Sequence, residues 1–211
     1  NTMGAIKELK DKLNLKNLPR RMECYDISNI SGTNQVCSMV VFKNGEASKK
    51  DYRKFKIKKV KGANDFASLQ EALKRRLERL KEGRGESFKE KPDLIVIDGG
   101  KGQLSAVNEI LSEYDFGIDL ISLAKKQEEV FVTESLQPII LKKGSVELRL
   151  LQRLRDEAHR FAITFHRQVR QKQQTHSELD DIPGVGPKKR DLLLNIFGTS
   201  EKIKGDSIEE R

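Results

Sequence analysis

Two aspartates and a histidine are the side chains in this sequence best suited to do chemistry together. Asp26 lies in "ECYDISNISGT", inside an apolar segment and just ahead of a Ser/Asn/Gly turn, and Asp98 closes the apolar run "DLIVID". A lone ionised carboxylate in such surroundings costs several kcal/mol or more unless hydrogen bonds, a cation or a metal compensates it. Two carboxylates brought within a few ångströms repel each other, and one must take a proton unless a cation sits between them. Mg²⁺ or Mn²⁺ meets that need, because these hard ions take oxygen ligands, keep several waters, and bind through one or two carboxylates plus the phosphate oxygens of a substrate. His159, in "RDEAHRFAITFHR", falls one position past Ala158 on the apolar stripe of a long helix, so it borders the buried face and completes an Asp, Asp, His set. Imidazole suits Mn²⁺ better than Mg²⁺. Each residue also has a plainer role open to it: Asp26 can cap a turn through Ser28 or Asn29, and His159 can be satisfied by Asp156 at i−3.

The elements that must bring these residues together are legible in the spacing. Residues 5–13 carry Ile6, Leu9 and Leu13 at helical intervals. Strands are expected at 23–28 and 36–42, and the Asn44-Gly45 pair favours a hairpin turn into a third strand over 47–57. Asn64 or Asp65 caps a helix carrying Phe66, Leu69, Leu73, Leu77 and Leu80 that ends near Gly83. Buried strands follow at 93–98 and 119–124, separated by a helix over roughly 103–111. Residues 125–145 read as a strand pair or flap. A long helix from Val146 to about Lys172 then carries Leu150, Leu154, Ala158, Phe161, Phe165 and Val169 as its core stripe. A meander followed by helix, strand, helix, strand and helix is the element order of an α/β ribonuclease-H-like fold, a mixed five-stranded sheet of order 3-2-1-4-5 flanked by helices. In that order the first and fourth strands are neighbours, with Asp26 and Asp98 at the rim where open sheets bind ligands.

Composition narrows the partners. The chain has 211 residues with 41 Lys and Arg against 32 Asp and Glu, a net charge of +9 that favours polyanions. The charge is clustered, with Lys49, Lys50, Arg53, Lys54, Lys56, Lys58, Lys59 and Lys61 in one short stretch. Arg149, Arg153, Arg155, Arg160, Arg167, Arg170 and Lys172 recur along the later helix. No apolar run is long enough to span a membrane and no secretory signal is visible, so a cytoplasmic protein without membrane association is expected. Cys24 and Cys37 have no CxxC spacing and are expected to be packing residues. "IDGGKGQ" matches neither GxGxxG nor GxxxxGK[ST], so nucleotide binding there is weakly supported. Its glycines are expected to let a phosphodiester approach beside the metal, with Lys101 offering charge.

"PRRMECYDISNISG", "LIVIDGGKGQLSAV" and "LQRLRDEAHRFAITFHR", in this order, closely resemble the C-terminal half of the UvrC family, the nuclease subunits of bacterial nucleotide excision repair. The resemblance implies a ribonuclease-H-like endonuclease domain over 1–172 that incises damaged double-stranded DNA on the 5′ side of a lesion. It matches the family's catalytic and metal-binding triad to Asp26, Asp98 and His159, and an acidic position to Asp65, for which helix capping is an equal explanation. Arg155 and Arg160 are expected to meet DNA, as is Lys101. "LDDIPGVGPKKRDLLLNIFG" resembles the family's helix-hairpin-helix. A polar linker at 173–178 would lead to this small all-α unit at 179–211, with Gly184, Gly186, Lys188, Lys189 and Arg190 on the DNA backbone. UvrB is the implied partner, with UvrA upstream. Against the family pattern the chain lacks the N-terminal nuclease module, the UvrB-binding segment and a second hairpin, so it is expected to be a fragment that cuts poorly alone. A DNA-binding module without catalysis is the competing class.

Overall fold

The computed structural model describes residues 2–30, 34–124 and 129–197. The tip of the first hairpin, the start of the flap, and residues 198–211 of the proposed second domain lie outside them. The chain divides into two compact units, 1–162 and 163–211.

The first unit begins with α1 (Thr2–Leu13), which buries Ala5, Ile6, Leu9 and Leu13. A mixed sheet follows, built from β1 (Arg21–Ile30), β2 (Asn34–Lys43), β3 (Glu46–Ala47), β4 (Arg53–Lys56), β5 (Leu94–Asp98), β6 (Asp119–Leu123), β7 (Glu129–Val132) and β8 (Ile139–Ile140). Its order is β3-β2-β1-β5-β6-β7-β8, with β4 also on β2. The expected order is therefore present at its centre, with β1 parallel to β5 and β5 parallel to β6. Two differences stand out. The third strand is split into β3 and β4 by a 3-10 turn at Lys49–Asp51, where the Ser48 hydroxyl donates to Asp51 and diverts the backbone. Beyond the expected five strands, the flap joins the sheet as the antiparallel edge β7 and β8.

Strand alternation gives the sheet two different faces. Glu23, Tyr25, Met39 and Phe55 share the face covered by α2 (Asp65–Glu82), to which Arg76 belongs. Cys24, Val40 and Val96 share the other face, covered by α4 (Val146–Asp180) through Leu150, Leu154 and Ala158. Helix α2 starts at an Asn64 cap and stops at Gly83, whose φ of +65° suits glycine. The α3 helix (Lys101–Leu111) follows β5 directly.

Helix α4 does not stop near Lys172 but continues to Asp180, so the backbone of 173–178, expected to be a linker, is helical. The stretch is polar, but it contains neither Gly nor Pro to end a helix. The division between units falls within α4 after Ala162, its last buried residue in the first unit, and not at 172. In the second unit, Ile182–Gly184 turns the chain into α5 (Pro187–Phe197), which buries none of its residues. Among the described residues no helix is long and apolar enough to cross a membrane.

Candidate active site

The two carboxylates stand where the core ends. Burial along β1 is complete through Tyr25 and drops at Asp26; along β5 it is complete through Ile97 and drops at Asp98. The parallel ladder aligns Cys24 with Val96 and Tyr25 with Ile97. One further step aligns Asp26 with Asp98, and parallel partners share a face. That face is the one α4 covers, and α4 places His159 over the pair. His159 Nε2 is in direct contact with Asp98 Oδ2 and lies 3.6 Å from Asp26 Oδ2. One donor atom from each of the three residues falls within 4.8 Å of the others. The three sequence-designated residues thus meet at one point. Asp26 is not at a strand end as the turn-capping alternative requires, because β1 continues four residues beyond it to Ile30.

The donor set suits a divalent cation. The Asp98 side chain is 1% exposed, and its Oδ1 is buried with no hydrogen-bond partner among the described residues. An orphaned carboxylate oxygen in that position is costly, and a cation is the natural partner for it. Two carboxylate oxygens and one imidazole nitrogen match what Mg²⁺ accepts and Mn²⁺ prefers. Burial, together with the nearby Asp98 and Asp26 carboxylates, pushes the Cys24 thiol well above its usual range, so it stays protonated and inert beneath them.

Two of the glycines after Asp98 make room for neighbouring side chains. A Cβ on Gly99 would meet the Gln103 side chain at 2.9 Å, and one on Gly102 would meet the Phe66 ring at 2.9 Å. Gly99 makes room for Gln103, whose Oε1 accepts from the Gly100 N–H at 3.1 Å and caps α3, while Gly102 lets α2 approach. The site is held from behind; among Gly99, Gly100 and Gly102, only Gly100 has its Cβ position nearly open. Lys101 is exposed, and its Nζ reaches the Leu136 carbonyl at 3.4 Å.

Asp65 stands apart from the triad. It opens α2, on the far face of the sheet, and accepts from Gln35 Nε2 at 2.8 Å while Gln35 Oε1 accepts from Ser68. The cap itself is Asn64, which accepts from the Ala67 N–H. Asp65 thus fixes the start of α2 to β2. Arg155, one helical turn before His159, retains 22% exposure beside Asp156. Arg160 is drawn onto Glu157 by two hydrogen bonds of 2.8 and 2.6 Å. In the second unit Gly184 has a φ of +88°, Lys188 and Lys189 are exposed, and Arg190 donates its N–H to the Gly186 carbonyl at 3.0 Å to start α5.

Sequence reasoning missed the buried ions behind the site. Glu23, on the opposite face of β1 from Asp26, accepts from Arg76 at 2.7 and 3.1 Å, Arg21 at 3.0 Å and the Tyr25 hydroxyl at 2.6 Å. Burial alone would raise its pKa, but the Arg76 and Arg21 charges hold the carboxyl below the usual range. The available signal was Glu23 itself, a charge flanked by Met22 and Cys24 in an apolar strand.

A mixed sheet of this order with an acid and imidazole cluster at the carboxyl ends of two parallel strands defines a ribonuclease-H-like nuclease domain. The UvrC RNAse H endonuclease domain family matches residues 10–163, and the chain belongs to that family. It is 51% identical over 208 residues to UvrABC system protein C of Dehalococcoides mccartyi (strain CBDB1), covering 98% of this chain and 34% of that protein. It is 48% identical over 211 residues to UvrABC system protein C of Gloeobacter violaceus, covering 98% of this chain and 33% of that protein. The chain thus spans about a third of the length of these relatives. Among solved structures, endonuclease V of Ciona intestinalis in complex with inosine-containing DNA is 18% identical, covering 62% of this chain and 61% of that one, with a TM-score of 0.38.

Proposed function

We propose that this chain is the metal-dependent endodeoxyribonuclease part of a bacterial nucleotide excision repair enzyme, hydrolysing a phosphodiester on the 5′ side of a lesion. The observation that carries the reading is the convergence of Asp26, Asp98 and His159 around a buried carboxylate oxygen that has no hydrogen-bond partner among the described residues. Asp26 and Asp98 would hold Mg²⁺ or Mn²⁺ through one oxygen each. When bound, such an ion polarises a nonbridging phosphate oxygen and acidifies a water. His159 offers Nε2 to the same centre, as a third donor or as the group that moves a proton there, and its contact with Asp98 orients the ring. Arg155 and Lys101 draw the phosphate backbone to the rim, with Arg160 alongside. Gly184, Gly186, Lys188, Lys189 and Arg190 hold DNA at the start of α5, where the helix N-terminus and charge bind phosphate without reading sequence. The division of labour is a cutting unit and a helix-hairpin-helix, acting in the cytoplasm on damaged double-stranded DNA delivered by UvrB after UvrA.

Supercoiled plasmid with Mn²⁺ tests the reading. The chain should nick slowly, Asp26→Asn and Asp98→Asn should not nick, and all three should bind DNA with similar affinity. Nicking by both variants at the unsubstituted rate would remove the cluster from the chemistry. Binding without nicking by the unsubstituted chain, even with UvrB present, would leave a positioning module.

A further inference from the structure

We propose that Ser38 is a positioning residue for the metal centre: its hydroxyl donates to the Asp26 carboxylate and fixes that carboxylate in the orientation that ligates the divalent ion. The proposal rests on the nuclease reading above. Asp26 pairs directly with Ser38 across the antiparallel ladder of β1 and β2, so the two side chains stand side by side on the face that α4 covers. Directly opposed residues have Cβ atoms about 4.5–5.5 Å apart, within reach of a hydroxyl and a carboxylate. On the other side of Asp26 the parallel register brings Asp98. Asp26 is thus the middle member of a row that runs Ser38, Asp26, Asp98.

The two outer members of the row share an anomaly. Ser38 is fully buried and its Oγ has no hydrogen-bond partner among the described residues, which is also the condition of Asp98 Oδ1. In the described part of the first unit only Ser122 Oγ shares it, and Ser122 pairs with Ile97 on the opposite face of the sheet. A buried hydroxyl and a buried carboxylate oxygen therefore flank one candidate ligand. Ser28, next on the same face of β1, shows the ordinary outcome for a strand hydroxyl: it donates across the same ladder to the Val36 carbonyl at 3.4 Å.

The residue type points to the ion-loaded site. Alanine would fill the same space beneath α4 without the cost of a buried hydroxyl that bonds to nothing, so keeping the hydroxyl fits a partner that becomes available when the ion binds. Here one Asp26 oxygen lies 3.6 Å from His159 Nε2, on the imidazole side of the carboxylate. With an ion held between the two carboxylates and the imidazole, one Asp26 oxygen serves the ion. An ionised carboxylate has lone pairs enough to accept from Ser38 whatever else it contacts. Ligating carboxylates are themselves hydrogen-bonded as a rule, and loss of such a partner typically weakens metal binding by about 10- to 100-fold.

The test pairs titration calorimetry of the chain with Mn²⁺ alone against thermal unfolding without metal. Ser38→Ala should raise the Kd for Mn²⁺ about tenfold or more, and the Mn²⁺ concentration for half-maximal nicking by the same factor. Its melting temperature without metal should be equal to that of the unsubstituted chain or higher, because the substitution removes a buried hydroxyl and opens no cavity of consequence. Ser38→Cys, which nearly keeps the volume but holds only a weak donor, should bind Mn²⁺ as poorly as Ser38→Ala. An unchanged Kd in either variant would overturn the role. So would a lower metal-free melting temperature in Ser38→Ala, which would mean that the hydroxyl already has its partner in the folded chain. Failure of the unsubstituted chain to bind Mn²⁺, or binding that Asp98→Asn leaves unchanged, is a separate result that overturns the metal centre and this role with it.

Discussion

At the scale of single residues, the candidate site is a local imbalance of charge that folding tolerates. Asp98 is almost fully covered, touches His159, and leaves one oxygen without a hydrogen-bond partner among the described residues, while Asp26 stands alongside with 16% of its side chain exposed. An ion that binds this arrangement only when it is folded must stabilise the fold by mass action, by about 2.7 kcal/mol when present at a hundredfold excess over its Kd. Mn²⁺ should therefore raise the melting temperature of the chain, and EDTA should reverse the rise. Asp98→Asn replaces the carboxylate with an amide that binds the ion poorly, so its melting temperature should be insensitive to Mn²⁺. An equal Mn²⁺ shift in Asp98→Asn would place the ion elsewhere. The same experiment with Asp65→Asn should leave the shift intact, since Asp65 is tied to Gln35 on the other face of the sheet.

At the scale of elements, β1 has opposite duties on its two faces: Asp26 serves the rim on one, and Glu23 locks α2 and the following loop on the other. Arg76 donates to Glu23 and also to the Phe88 and Glu90 carbonyls, each at 2.8 Å, so this one side chain fastens α2 to the loop that leads into β5. Removing one partner of a fully buried ion pair leaves the other uncompensated, at a cost of about 3–5 kcal/mol. Glu23→Gln should destabilise the chain by that amount in urea unfolding, and a loss below about 1 kcal/mol would show that the arginines find other partners. Arg76 also shows why the interior was less legible than the rim. In "LKRRLERL" it is one basic residue among several on a helix, and only the tertiary placement of α2 over Glu23 makes it interior. By contrast, Asp26 and Asp98 could be read from sequence because each sits in a run of apolar residues, and the order of elements then brings their strands together. The glycines of "DGGKG" were visible as a turn, but their clearances against Gln103 and Phe66 depend on where two helices pack. The helical backbone through 173–178 was hidden by polarity, since polar helices and linkers share a composition.

At the scale of the whole molecule, ionisable groups buried in the core set the pH limits of the fold. Burial and the charge of Asp26 push the Cys37 thiol far above its ordinary range, and burial with the Asp98 and Asp26 charges does the same for Cys24. Burial, followed by the Glu23 charge, also raises the Tyr25 hydroxyl. A group whose folded pKa is raised contributes stability that is fully present below its unfolded pKa, about 8.5 for cysteine, and is lost as pH rises above it while only the unfolded chain releases the proton. Each such cysteine lowers stability by about 1.4 kcal/mol per pH unit there. Glu23 and Asp51 act at the other limit. Glu23 is lowered by Arg76 and Arg21 against its burial, and Asp51 by Ser48 and Lys43 against its own. Their stabilising effect is present above the unfolded carboxylate values near pH 4 and is lost as pH falls through the lower folded values. Stability should therefore be flat between about pH 5 and 8 and fall on both sides. Urea unfolding across pH 3–10 measures both limbs. Cys37→Ala should flatten the alkaline limb by one proton's worth and leave the acid limb unchanged. An alkaline limb of undiminished slope in that variant would mean that Cys37 ionises in the folded chain as readily as in the unfolded one, which its complete burial beneath α2 does not permit.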